Sequence, residues 1–217
     1  ENENIKKVYW ADGENELRYI NIADNNINLD KNFVSTVPNV ELNEPTVTGY
    51  TLGGNHTSGV IQYAYNYYNL NGSQTKISSL SNFAYLNNND DGDEINKPVN
   101  KSPIVTITNL DQNYEFIRIY SIKYTSQNAT PLISILRDEP VVSDTIEIVD
   151  DNNSVIQEIT YGEFTFLGGD IIIPKHLITK DNHLFVANYK TDTFEIDSTF
   201  DTRAYRFNSV GQAKLLS

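Results

Sequence analysis

The sequence predicts an all-β protein with short connections. Two runs alternate with period two. Residues 60–69 put Ile61, Tyr63, Tyr65 and Tyr67 on one face and Gln62, Ala64, Asn66 and Tyr68 on the other. Residues 115–124 set Phe116, Arg118, Tyr120 and Ile122 against Ile117, Ile119, Ser121 and Lys123. No segment carries an apolar 3.6-residue period over ten or more positions, and no repeat with a period of 20–50 residues occurs.

Taken in order, residues 7–10 and 16–22 flank Asp12-Gly13, a hairpin signal. Residues 23–32 are polar and read as loop, and Pro38 and Pro45 punctuate a linker-like stretch. Strands follow at 46–52, ending in Gly53-Gly54, and at 60–69, ending in the turn Asn71-Gly72. A short Ser-rich run at 76–80 and an acidic loop at 87–94 precede strands at 104–110, 115–124 and 132–136. Beyond Pro140, residues 145–149, 155–160, 163–167, 171–173 and 183–189 read as strands. Residues 174–179 are a candidate helical turn, and 200–217 are less regular.

Composition bounds the function. The 217 residues suit one large domain or two small ones and can bury a core without staples. Aromatics make up 11%, which excludes wholesale disorder. The net charge of −13 repels phosphate backbones and anionic lipid, so direct nucleic-acid binding and anionic-membrane binding are not expected. There is no 18-residue apolar run, so no membrane insertion is expected. The absence of Cys removes disulfides, thiolate metal sites and cysteine nucleophiles together. Met is absent even at the first position, so Glu1 is expected to follow a processing event or to open one piece of a longer product.

Three parts are expected: an N-terminal β-hairpin flank over 1–43, a sandwich over 44–141, and a C-terminal β-rich flank over 142–217 that packs with the first or with missing chain. The central part has the size and about the strand count of an immunoglobulin-like sandwich. Its segment Leu110-Asp111-Gln112-Asn113-Tyr114 resembles the tyrosine corner of fibronectin type III domains. That resemblance implies Leu110 and Tyr114 in the core, with the Tyr114 hydroxyl bonded to backbone near Leu110 or a few residues upstream. The hairpin residue Trp10 is expected to be buried against the C-terminal flank or another chain.

Three motifs carry a further resemblance. They are Val8-Tyr9-Trp10-Ala11-Asp12-Gly13 with 17–22, then residues 180–188, then Asp201-Thr202-Arg203-Ala204-Tyr205-Arg206-Phe207. In this order they resemble the large virion proteins of crAss-like tailed phages, the stabilisation or muzzle proteins of the short tail. The Tyr-Trp-x-Asp hairpin also occurs in β-propeller blades, so propeller-like hairpins are an alternative for the flanks. Family members are far longer than this chain. The resemblance implies a structural subunit of the virion tail. Its partners would be other tail subunits, copies of itself and the remainder of a longer parent chain.

Chemistry-bearing residues are few. Asn87, Asn89 and Asp91, followed by Gly92, match the first half of a Ca²⁺ loop, but its twelfth position is Pro98 where a bidentate Glu is needed. The bland reading is a solvated acidic loop. His56, His176 and His183 lack ligand spacing, no Gly-x-Ser-x-Gly elbow occurs, and nothing selects one carboxylate pair from 29 acids. No catalytic site and no resident cofactor are expected. Arg203 and Arg206 would suit ion pairs to acidic neighbours in an assembly. The Tyr63, Tyr65, Tyr67 stripe is core if buried. If exposed, it supports the rival reading, a glycan- or receptor-binding β-sandwich module of a surface or secreted protein.

Overall fold

A computed structural model describes residues 6–23, 27, 29–38, 40–70, 73–89, 92–126, 129–153, 155–167, 171–181, 183–191, 205–207 and 213–215. The first element along the chain is a hairpin of β1 (Lys7–Trp10) and β2 (Arg18–Asn21), with Tyr9 opposite Tyr19 and Trp10 opposite Arg18. Its turn is set by Asp12, whose Oδ1 accepts the N–H groups of Glu14 and Asn15 at 2.9 and 2.7 Å. Those donors, with the Asn15 amide, pull the Asp12 carboxyl down to about 2. A depressed carboxylate supports the fold above its unfolded pKa and loses that support as pH falls toward about 2. An NMR titration is expected to find Asp12 ionising near 2, and Asn15→Ala to raise it; an unchanged value in the variant would refute the turn.

A one-turn helix, α1 (Lys31–Val34), begins at the end of the stretch read as loop, and it buries Val34. The next strands are β3 (Thr46–Thr51), β4 (Gly59–Tyr68), β5 (Ala84–Leu86), β6 (Ser102–Thr108), β7 (Phe116–Tyr124), β8 (Leu132–Pro140), β9 (Thr145–Val149) and β10 (Gln157–Ile159). They build two antiparallel sheets, one in the order β10-β8-β7-β4-β5 and one in the order β3-β6-β9. The predicted alternation of the long strands decides the packing. Ile61, Tyr63, Tyr65 and Tyr67 of β4 and Ile117 and Ile119 of β7 face Val105 and Ile107 of β6 and Ile148 of β9 in one buried cluster.

The sandwich takes more of the chain than the 44–141 boundaries allow. β9 pairs with β6 and β10 with β8, and Ile148 enters the core. Val40 and Leu42 pack on the same core from the other side of the boundary, and Phe33 of α1 stacks on Tyr114 at 6.3 Å. The reason is edge chemistry: without β9 and β10, β6 and β8 would leave their ladder groups unpaired.

The far side of the five-stranded sheet holds a second, smaller cluster. Ala64, Ile122 and Ile133 are covered by Ile77, Ile159 and Phe164. Phe164 lies on α2 (Tyr161–Leu167), where a strand was expected over 163–167. A capping box stops the strand. Glu163 accepts the Thr160 N–H at 2.7 Å, and the Thr160 hydroxyl accepts the Glu163 N–H at 3.2 Å.

Residues 76–80 are also not a strand. Past the short β5, the edge of β4 is closed by a ladder of hydroxyls spaced three apart. The N–H groups of Ser81, Ser78 and Thr75 donate to the carbonyls of Tyr63, Tyr65 and Tyr67 at 2.8–3.0 Å. The N–H groups of those three tyrosines donate back to the Ser81, Ser78 and Thr75 hydroxyls at 2.9–3.0 Å. Each hydroxyl then donates to the carbonyl of the next residue. A period of three, not two, fits an extended segment with no ladder of its own.

Beyond the sandwich, β11 (Ile172–Lys180) and β12 (His183–Thr191) form a nine-residue antiparallel ribbon. Residues 174–179 are thus strand and not a helical turn. Two short strands, β13 (Tyr205–Phe207) and β14 (Ala213–Leu215), pair near the end. The flanks touch: Gly13 N–H donates to Pro174 O at 3.1 Å and Leu17 N–H to Ile172 O at 3.2 Å.

Candidate assembly surface

The corner between β6 and β7 is built on aromatic stacking. Leu110 and Tyr114 are both buried, and the Tyr114 ring lies on Tyr67 at 4.7 Å and 9°. The hydroxyl that meets the corner backbone is not that of Tyr114. It belongs to Tyr67, which accepts the Asp111 N–H at 2.9 Å. The tyrosine that serves the corner thus comes from β4, across the sheet, which a local motif cannot reveal. Tyr67→Phe is expected to lower stability by about 1 kcal/mol, the scale of one net hydrogen bond; urea denaturation showing no change would refute the assignment.

A buried polar clamp ties β4 to the end of β9. The Tyr63 hydroxyl donates to Asp150 Oδ2 at 2.8 Å, and His56 Nε2 lies 2.8 Å from the Asp150 carbonyl and 3.4 Å from its Oδ1. Burial and the Asp150 carboxylate push the Tyr63 hydroxyl well above its ordinary pKa. Gly54 closes the clamp at φ +89°: a Cβ there would meet Ser102 Oγ and come 2.9 Å from Asp151 O. The clamp is enclosed, so it orders loops and offers no surface.

The loop at 87–94 is organised by its own side chains. Asp93 accepts the Asn88 N–H, the Asn89 amide at 2.7 Å and the Lys97 ammonium at 2.9 Å. These bonds lower its pKa, the Asn88 N–H most of all. Asn87 donates to the Asn89 carbonyl, and its oxygen faces Lys101 Nζ at 3.3 Å. Of the three proposed calcium ligands, Asn87 has its side-chain oxygen against a cation and Asn89 turns its amide N–H onto Asp93, while Asp91 lies outside the described residues. Among the described residues no group of three or more His, Asp or Glu could hold a metal ion.

Trp10 is half-buried where full burial was expected, because Tyr19 and Leu17 are the hairpin residues that turn inward. Arg206 stands opposite Lys214 in the register of β13 and β14, while Arg203 lies outside the described residues. The tyrosine stripe is fully buried, so it cannot stack on a sugar or a partner.

What remains for contact is apolar and edge surface. An open groove of about 480 Å³ runs between residues 76–80 and α2, lined by Ile77, Leu80, Ile122, Ile133, Tyr161 and Phe164. At the β5 edge Phe83 and Tyr85 are exposed, and Lys101 Nζ sits 4.4 Å over the ring of Tyr50. The ribbon presents Ile178 opposite Phe185, at 68% and 53% exposure. Sequence reasoning missed all three surfaces, since each arises from which residues the fold leaves uncovered.

Fold and surfaces together define an all-β structural module, a filled sandwich with apolar strand faces turned outward. The model of the family described as crassvirus muzzle protein matches residues 1–217. The chain is also similar to the muzzle protein of Bacteroides phage crAss001, with 37% identity over 192 residues, covering 87% of this chain and 14% of that protein. The chain belongs to the crassvirus muzzle protein family, as its three spaced motifs implied. It spans about 14% of the length of the curated relative it matches.

Proposed function

We propose that this chain is a structural part of a phage tail muzzle and works through protein–protein assembly, not catalysis. The observation that carries the reading is the family match along the whole of residues 1–217. The exposed apolar groove and ribbon support it, because such patches mark contact sites. Its partners on this reading are other tail subunits, the rest of its own polypeptide and copies of itself. The buried tyrosine stripe weighs against the glycan-binding alternative.

The sandwich on this reading is of fibronectin type III or immunoglobulin type, extended to about residues 38–167. Its order β5-β4-β7-β8 follows the C′-C-F-G sheet of such sandwiches, and β3-β6 follows B-E. The place beside E is taken by β9, which follows G in the chain. An antibody raised against the 217-residue chain is expected to mark the tail of intact virions in gold-labelled electron micrographs. Label on the capsid alone would overturn the proposal.

A further inference from the structure

We propose that the β11–β12 ribbon docks on the β9 edge of a second copy of this chain. The inference rests on the assembly reading above and names one partner for it. A two-stranded ribbon is marginal in water unless something covers it. Here the pair Ile178 and Phe185 is exposed on one face, and the body of the chain holds the ribbon at its base, through Pro174 and Ile172. The eight paired positions lie on strands of nine residues, which extend about 30 Å, long enough to lie along a whole sheet edge.

Charge selects the occupant. Residues 171–191 hold Lys175, Lys180 and Lys190, two His and one acid, in a chain of net charge −13. All three lysines are exposed, and none has an ion-pair partner among the described residues. The complementary strip is residues 142–151, which hold four acids and no base. Asp150 of these is turned inward to Tyr63, but Asp144 and Glu147 are exposed and without ion-pair partners among the described residues. β9 is the last strand of its sheet, so its outer ladder groups face no strand among the described residues. Beside them Val142 and Val149 are 81% and 40% exposed. A basic apolar ribbon thus meets an acidic apolar edge that needs a neighbour. The two patches differ, so the contact is head-to-tail and builds rings or open chains of subunits.

The test is sedimentation of the full chain across concentration and salt. The unaltered chain is expected to self-associate, more weakly as salt rises. The pair Lys175→Glu and Lys180→Glu, or the pair Asp144→Lys and Glu147→Lys, weakens association by about tenfold or more. Mixing these two charge-reversed chains restores a complex, since the reversed ribbon now fits the reversed edge. Phe185→Ser, checked for fold by circular dichroism, weakens association without altering charge. A chain that stays monomeric at every attainable concentration overturns the proposal, as do variants that associate like the unaltered chain. A mixture that fails to restore the complex overturns the β9 edge as the occupant's site. A monomeric chain whose antibody still marks the tail sinks this inference alone and leaves the tail assignment standing.

Discussion

Replacing Thr75, Ser78 and Ser81 together by Val, Ala and Ala is expected to cost about 3–9 kcal/mol, a large share of what holds a domain folded. Each hydroxyl accepts a buried N–H, from Tyr67, Tyr65 and Tyr63 respectively, at about 3 Å. Removing one acceptor strands a donor that water does not reach, at a cost of about 1–3 kcal/mol. Three such losses reach about 3–9 kcal/mol, against a whole-domain stability of about 5–15 kcal/mol. The main-chain bonds from 75, 78 and 81 to the tyrosine carbonyls would remain, so the effect isolates the side chains. Urea denaturation of the single variants gives the individual terms. A combined loss below about 1 kcal/mol, less than one stranded donor, would refute the ladder.

Chain length provides the second large effect. A chain of residues 38–167 is expected to unfold cooperatively, whereas one ending at residue 141 is expected not to fold. The cut at 141 removes β9 and β10, exposes the ladder groups of β6 and β8, and takes Ile148 from the core. It also removes Asp150, the acceptor for the fully buried Tyr63 hydroxyl, and Phe164, which caps Tyr120 at 5.6 Å. The loss of Asp150 alone, as Asp150→Ala in the full chain, costs about 2–4 kcal/mol on the same reasoning. Circular dichroism and proton NMR dispersion decide the matter. A folded 44–141 chain would restore the narrower boundaries and show β9 and β10 to be accessory.

Some of this was open to direct reading. The alternation of Ile61, Tyr63, Tyr65 and Tyr67 against their neighbours put these tyrosines on one face of β4, because side chains on a strand alternate whatever surrounds it, and the fold turns that face into the core. The Thr160-Tyr161-Gly162-Glu163 box was also legible as a helix start, although three apolar residues in Phe164, Phe166 and Leu167 drew a strand reading. The hydroxyls at 75, 78 and 81 repeat with period three, a pattern that neither strand nor helix templates seek.

What the sequence by itself determined is therefore the local part: the all-β class, the alternating faces of β4 and β7, the hairpin at Asp12-Gly13 and the family carried by three spaced motifs. Only the tertiary structure decided that β9 and β10 complete the two sheets, and that Tyr67 rather than Tyr114 serves the corner. It alone decided which apolar residues, Ile178, Phe185 and Val142 among them, stay in water. The physical reason is range. Strand period and turn chemistry act between near neighbours in the chain, whereas partner strands and hydrogen-bond acceptors can lie tens of residues away. Asp150 and Tyr63 are 87 positions apart, and nothing in either local sequence points to the other.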